Sequence, residues 1–121
     1  ARAGRAPVGA IPTPSAVTGV AVGADRTLAD WGQITRYFQT LGAASPMVRV
    51  DTLGRTTQGR PFVVATISSP ANIRNLAAIR QRQARLADPR GLSAAEEARL
   101  VAEQPAVILI SNNIHATEIA S

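Results

Sequence analysis

Residues 105–121 read PAVILISNNIHATEIAS, and the fold of the whole chain turns on how they are understood. Residues 106–110 are an unbroken apolar run directly after Pro105. A run this short, without polar alternation, suits a strand covered on both faces, so it predicts a central strand of an α/β sheet. The chain then turns polar at Ser111, Asn112 and Asn113 and presents His115, Ala116, Thr117 and Glu118. In α/β folds ligands gather beyond the carboxyl ends of strands, which is where His115 is expected. Imidazole nitrogen and carboxylate oxygen both suit zinc, and a spacing of three lets His115 and Glu118 turn to one side of a helical turn or tight loop. Catalytic zinc takes three protein donors and keeps a fourth position open, whereas this chain has one histidine. Asp25, Asp30, Asp51 and Asp88 can each offer an oxygen, but none stands in a context that reads as a site. Ile119 after Glu118 excludes the HExxH and HxxEH zinc motifs. Spacing alone leaves open a plain alternative, in which His115 is a hydrogen-bonded structural residue.

Upstream of this stretch, residues 70–104 place Ile73, Leu76, Ile79 and Leu86 at helical spacing. Residues 88–91 break the pattern, and Ser93 with Glu96 has the spacing that caps a second helix. The segment predicts a helical arm, with Arg74, Arg80, Arg82, Arg85 and Arg99 set against Glu96, Glu97 and Glu103 as a solvated surface. Residues 47–53 alternate and residues 61–67 are β-branched and apolar, so both predict strands. The connection over residues 54–60 suits an antiparallel hairpin, with Gly54 and Gly59 giving the backbone its freedom. Arg60 is expected to fix that turn by bonding to backbone carbonyls rather than to touch substrate.

Further towards the start, Leu28, Trp31, Ile34, Phe38 and Leu41 form one apolar helical stripe, with Trp31 and Phe38 expected in the core. Thr27 and Asp30 have the spacing of a capping box, and Gly42 is expected to end the helix. Residues 1–22 show no sustained period, and Pro12 with Pro14 disfavours helix, so they predict an extended lead over a domain of residues 23–121.

With 121 residues, the chain fits one small domain or part of one. Hydrophobic residues at 45% and charged residues at 17% place it among globular proteins. The net charge of +5 rests on 13 basic residues, every one an arginine. These are scattered, and Trp31, Tyr37, Phe38 and Phe62 do not interleave with them, so the pattern does not read as a nucleic-acid surface. The absence of cysteine excludes disulfides and thiolate metal sites. No apolar run approaches the roughly 20 residues of a membrane span. The small, arginine-containing start over residues 1–10 leans towards export, to a secreted or periplasmic location.

Two segments together resemble the zinc carboxypeptidases. Residues 108–121, ILISNNIHATEIAS, are similar to that family's apolar strand, small connector and His-Ala-x-Glu, and residues 51–62, DTLGRTTQGRPF, are similar to its Gly-x-Ser/Thr-x-x-Gly-Arg-Pro turn. The likeness runs from about residue 11 to residue 121 and covers roughly the first third of a typical catalytic domain. It implies an α/β fold, the N-terminal part of a mixed-sheet catalytic domain with the helical arm inserted between strands. It also implies one zinc ion held by His115 and Glu118, with a third protein ligand and the general base beyond residue 121. The activity implied is hydrolysis of peptide bonds by zinc-activated water. The peptide substrate and the remainder of the catalytic domain are then the partners, and no catalytic residue lies in the chain itself. Thr117 and Ile119 depart from the Arg and Trp of digestive-type members, which leaves substrate preference open. Aspartoacylase-like and succinylglutamate desuccinylase-like amidohydrolases share the HxxE pair and form a second reading. A non-catalytic binding module using the arginine-bearing arm forms a third.

Overall fold

The computed structural model describes residues 10–112, which fall into two compact units, one reaching to Ile73 and one starting at Arg74. The first unit begins with a short helix, α1 (Pro14–Thr18), where an extended lead was expected. The proline that argues against helix in fact starts one. Pro14 occupies the first turn, where its missing N–H costs nothing, and the Thr13 hydroxyl accepts the Ala16 N–H at 3.3 Å.

Helix α2 (Trp31–Ala44) starts three residues later than Thr27 suggests. Asp30 is the N-cap: its Oδ1 accepts the Gln33 N–H at 2.8 Å, and the Gln33 Oε1 accepts the Asp30 N–H at 2.8 Å. The reciprocal partner is thus Gln33, and Leu28 of the expected stripe lies outside the helix and is exposed. Gln33 also donates through Nε2 to the Thr18 carbonyl at 2.8 Å, which ties α1 to α2.

Gly42 does not end α2, which runs on to Ala44 with Ser45 as C-cap. Helix α2 packs on strand β1 (Val48–Arg55), and a Cβ placed on Gly42 would lie 3.2 Å from the Val50 Cγ2. The glycine is there for close approach of helix to strand. Strand β1 pairs antiparallel with β2 (Pro61–Ile67) in a two-stranded sheet, with Val48 opposite Ile67 and Val50 opposite Ala65. The register shifts between Thr52 and Gly54, so Leu53 bulges, while Gly54 is a strand residue opposite Phe62 rather than part of the turn. Gly59 does serve the turn, at φ 74°. Trp31 and Phe38, expected in the core, are half-buried; among the described residues of this unit Val48, Thr35 and Ser45 are the buried ones. The Thr35 hydroxyl is satisfied by donating to the Trp31 carbonyl at 2.8 Å.

In the arm, α3 (Pro70–Arg74) precedes α4 (Leu76–Ala87), and α5 (Ala94–Glu103) follows the break at residues 88–91. Ser93 caps α5, accepting the Glu96 N–H at 3.2 Å as its spacing predicts. Helices α4 and α5 pack on each other, with Ile79 and Leu100 buried. Their surface arginines do more than face water. Arg85 donates to the Asp88 and Arg90 carbonyls at 2.9 and 3.1 Å, which closes the end of α4. It also lies 3.7 Å from Glu96 of α5, and the Arg82 Nε donates to the Gln104 Oε1 at 3.2 Å. Helices with an antiparallel hairpin make an α/β arrangement.

Candidate functional site

His115 and Glu118, the expected zinc ligands, lie outside the described residues. The run leading to them can be followed, and it corrects the expectation of a central strand. Residues 106–110 carry no strand, and the sheet among the described residues consists of β1 and β2. Val107, Ile108, Leu109 and Ile110 are 66%, 84%, 83% and 77% exposed. A strand is defined by its neighbour's hydrogen bonds, and an apolar run specifies the need for cover without supplying the partner. Helices with an antiparallel pair fit the expected α/β fragment, and among the described residues the arm follows β2 with no strand after it.

Each of the aspartates weighed as a further metal donor has other employment. Asp25 lies 3.7 Å from Arg26, and Asp30 caps α2. The Asp51 Oδ1 accepts from the Arg49 Nε and Nη2 at 3.0 and 2.8 Å, and this hydrogen bond, with the charge attraction, holds the Arg49 guanidinium above its usual range. The Asp51 Oδ2 is buried and has no hydrogen-bond partner among the described residues. Asp88 accepts from Arg90 at 2.7 and 2.6 Å. That side-chain hydrogen bond, helped by the Arg90 backbone N–H and the charge of Arg85, holds the Asp88 carboxyl below the usual carboxylate range. Among the described residues no three His, Asp or Glu side chains come together as a metal site.

The hairpin tip gives the clearest built geometry. The Thr56 N–H donates to the Arg60 carbonyl at 2.8 Å, the Gly59 N–H to the Thr56 carbonyl at 2.8 Å, and the Arg60 N–H to the Thr56 Oγ1 at 3.2 Å. The arginine that fixes the turn is Arg55, whose Nη1 donates to the Gly59 carbonyl at 2.7 Å. Arg60, expected in that role, is exposed, and its guanidinium makes no hydrogen bond or ion pair with the described residues. The indole Nε1 of Trp31 donates to the Pro61 carbonyl at 3.0 Å, locking the start of α2 to the start of β2. Between them opens a cleft of about 360 Å³ lined by Asp30, Trp31, Gly32, Thr35, Arg60 and Pro61. Sequence reading placed Trp31 in the core because its position on the stripe is visible, whereas the carbonyl its N–H needs lies 30 residues away.

Comparison with known proteins gives one positive finding: a family model described as zinc carboxypeptidase matches residues 34–121. No curated protein matches, and no solved structure matches.

Proposed function

The chain belongs to the zinc carboxypeptidase family, and from that membership we propose that His115 and Glu118 are two of the donors holding a zinc ion for peptide-bond hydrolysis. The observation that carries this reading is the extent of the match, residues 34–121, which takes in most of α2, the hairpin, the arm and the HxxE pair in one run. The donor set fits the ion chemically, since neutral imidazole and ionised carboxylate are both ordinary zinc ligands. Bound zinc supplies an activated water and polarises the carbonyl under attack.

The part played by this chain is to present two donors in their metal-binding protonation states. The His115 ring binds metal in its neutral form and the Glu118 carboxyl in its ionised form, so metal binding competes with protons. The chain has one histidine. His115 and Glu118 are then two of the three protein donors that a catalytic zinc takes, and the third donor and the general base are proposed to lie beyond residue 121.

Equilibrium dialysis against zinc at neutral pH, with metal analysis of the retained protein, tests this reading. His115→Ala and Glu118→Gln should each weaken retention by at least the roughly 10- to 100-fold that outer-shell partners of a metal are worth. Equal zinc retention by the parent chain and both variants would overturn the assignment.

A further inference from the structure

The open cleft beside Trp31 does not involve the proposed zinc donors. We propose that the cleft between the start of α2 and the hairpin tip binds acidic side chains of a peptide, with Arg60 supplying the charged fork and Trp31 the apolar wall.

Charge is the first observation. Among the described residues Arg26, Arg49, Arg85, Arg90 and Arg99 each lie within 4.0 Å of a carboxylate oxygen. Arg55 and Arg60 do not, and neither do Arg36, Arg74, Arg80 and Arg82, but Arg55 and Arg60 stand together at the hairpin tip. Arg55 donates to a neutral carbonyl, and Arg60 has no partner among the described residues, so the hairpin tip carries two uncompensated positive charges. The one carboxylate in the lining is Asp30, whose Oδ1 is committed to the Gln33 N–H at 2.8 Å. It sits at the positive end of α2, which offsets part of its charge. The balance at the cleft therefore favours an anion, and a guanidinium recognises a carboxylate through a two-pronged contact.

Rigidity is the second. The indole of Trp31 is held by its bond to the Pro61 carbonyl at 3.0 Å, and the turn is held by Arg55 on the Gly59 carbonyl at 2.7 Å. The walls are in place before a ligand arrives, so binding orders little beyond the Arg60 side chain. Size is the third. At about 360 Å³ the cleft lies at the lower end of the range of ligand pockets, enough for one or two side chains of an extended peptide. The Trp31 ring gives an aliphatic stem something to lie against while its carboxylate reaches Arg60.

Trp31 is the one tryptophan in the chain, so its fluorescence reports directly on the cleft. The probe is an N-acetylated, C-amidated Glu-Leu-Glu peptide, titrated at low salt with a chelator present so that the zinc chemistry cannot contribute. Isothermal titration calorimetry on the same mixtures removes any dependence on the optical signal. The expected result is saturable binding that shifts Trp31 emission, weakens about 10-fold or more with the Gln-Leu-Gln counterpart, and weakens again as salt rises. Arg60→Gln should weaken binding by a similar factor, and Arg60→Lys by less, because charge remains and the fork is lost. Arg60 is exposed, so neither variant is expected to disturb folding, which circular dichroism checks. Absence of binding by calorimetry, equal affinity for the two peptides, or no change on Arg60→Gln would each overturn the proposal.

Discussion

Gly42 shows how a single residue changes meaning once its neighbours are known. By sequence it stops a helix; in the structure it lies inside α2, where an added Cβ would lie 3.2 Å from the Val50 Cγ2. Two effects oppose each other at this position. Alanine favours helix by about 1 kcal/mol over glycine, whereas extra atoms against a packed strand cost roughly 1–3 kcal/mol. Gly42→Ala is expected to change stability in urea unfolding by less than about 1 kcal/mol, and Gly42→Leu to destabilise by roughly 1–3 kcal/mol. In a Val50→Ala background the clash is gone, so Gly42→Ala should there stabilise by about 1 kcal/mol. If the double variant is no more stable than Val50→Ala alone, the close contact is not what holds the glycine in place. Asp88 offers a second test at this scale. Its carboxyl is held below the usual carboxylate range, first by the Arg90 hydrogen bond, so the contribution of this pair is present above the ordinary aspartate value and lost as pH falls through the lower folded one. An NMR titration of the chain should place the Asp88 midpoint below 3.8, and Arg90→Gln should move it back up.

Among the elements, α2 depends most on its first turn. Asp30 and Gln33 satisfy each other's backbone N–H groups, and Gln33 also ties the helix to α1 through the Thr18 carbonyl. Asp30→Ala should cost about 1 kcal/mol in thermal or urea unfolding, the ordinary value of an N-cap. Gln33→Ala should cost more, because it also frees the Thr18 carbonyl; a smaller loss than for Asp30→Ala would show that the tether contributes nothing. Sequence showed that a capping box opens this helix but set it on Thr27, because Thr27 and Asp30 match the acceptor pattern as well as Asp30 and Gln33 do. The hairpin was legible for a local reason: alternation in residues 47–53, β-branched residues in 61–67 and a glycine with positive φ at Gly59 are all encoded within a short span. The break at residues 88–91 and the Ser93 cap were legible in the same way. The helix α1 was missed because a proline was weighed as a breaker, when its position just after Thr13 makes it a starter.

At the scale of the molecule, the run over residues 107–110 is the longest unbroken stretch of exposed large apolar residues among the described residues. Four adjacent apolar residues, each at least 66% exposed, with β-branched members and no charge, form a segment ready to pair with another chain. The chain is expected to self-associate as concentration rises in light scattering, and Ile108→Lys to suppress this without altering the circular dichroism of the helices. Unchanged association in the variant would place the sticky surface elsewhere. By itself the sequence determined whatever is written in neighbouring residues: the hairpin, the capped arm and the α/β class. It also carried the family, because two separated motifs stand in the right order. Tertiary structure decided the rest. It gave the turn to Arg55 and left Arg60 beside Trp31 without a partner among the described residues, and it gave Gly42 to packing. It occupied Asp25, Asp30, Asp51 and Asp88 with caps and ion pairs, and it left residues 106–110 without a strand. The physical reason is the same in each case: a hydrogen bond or a close contact between residues far apart in the chain is fixed by where the backbone brings them, and spacing along the sequence does not encode it.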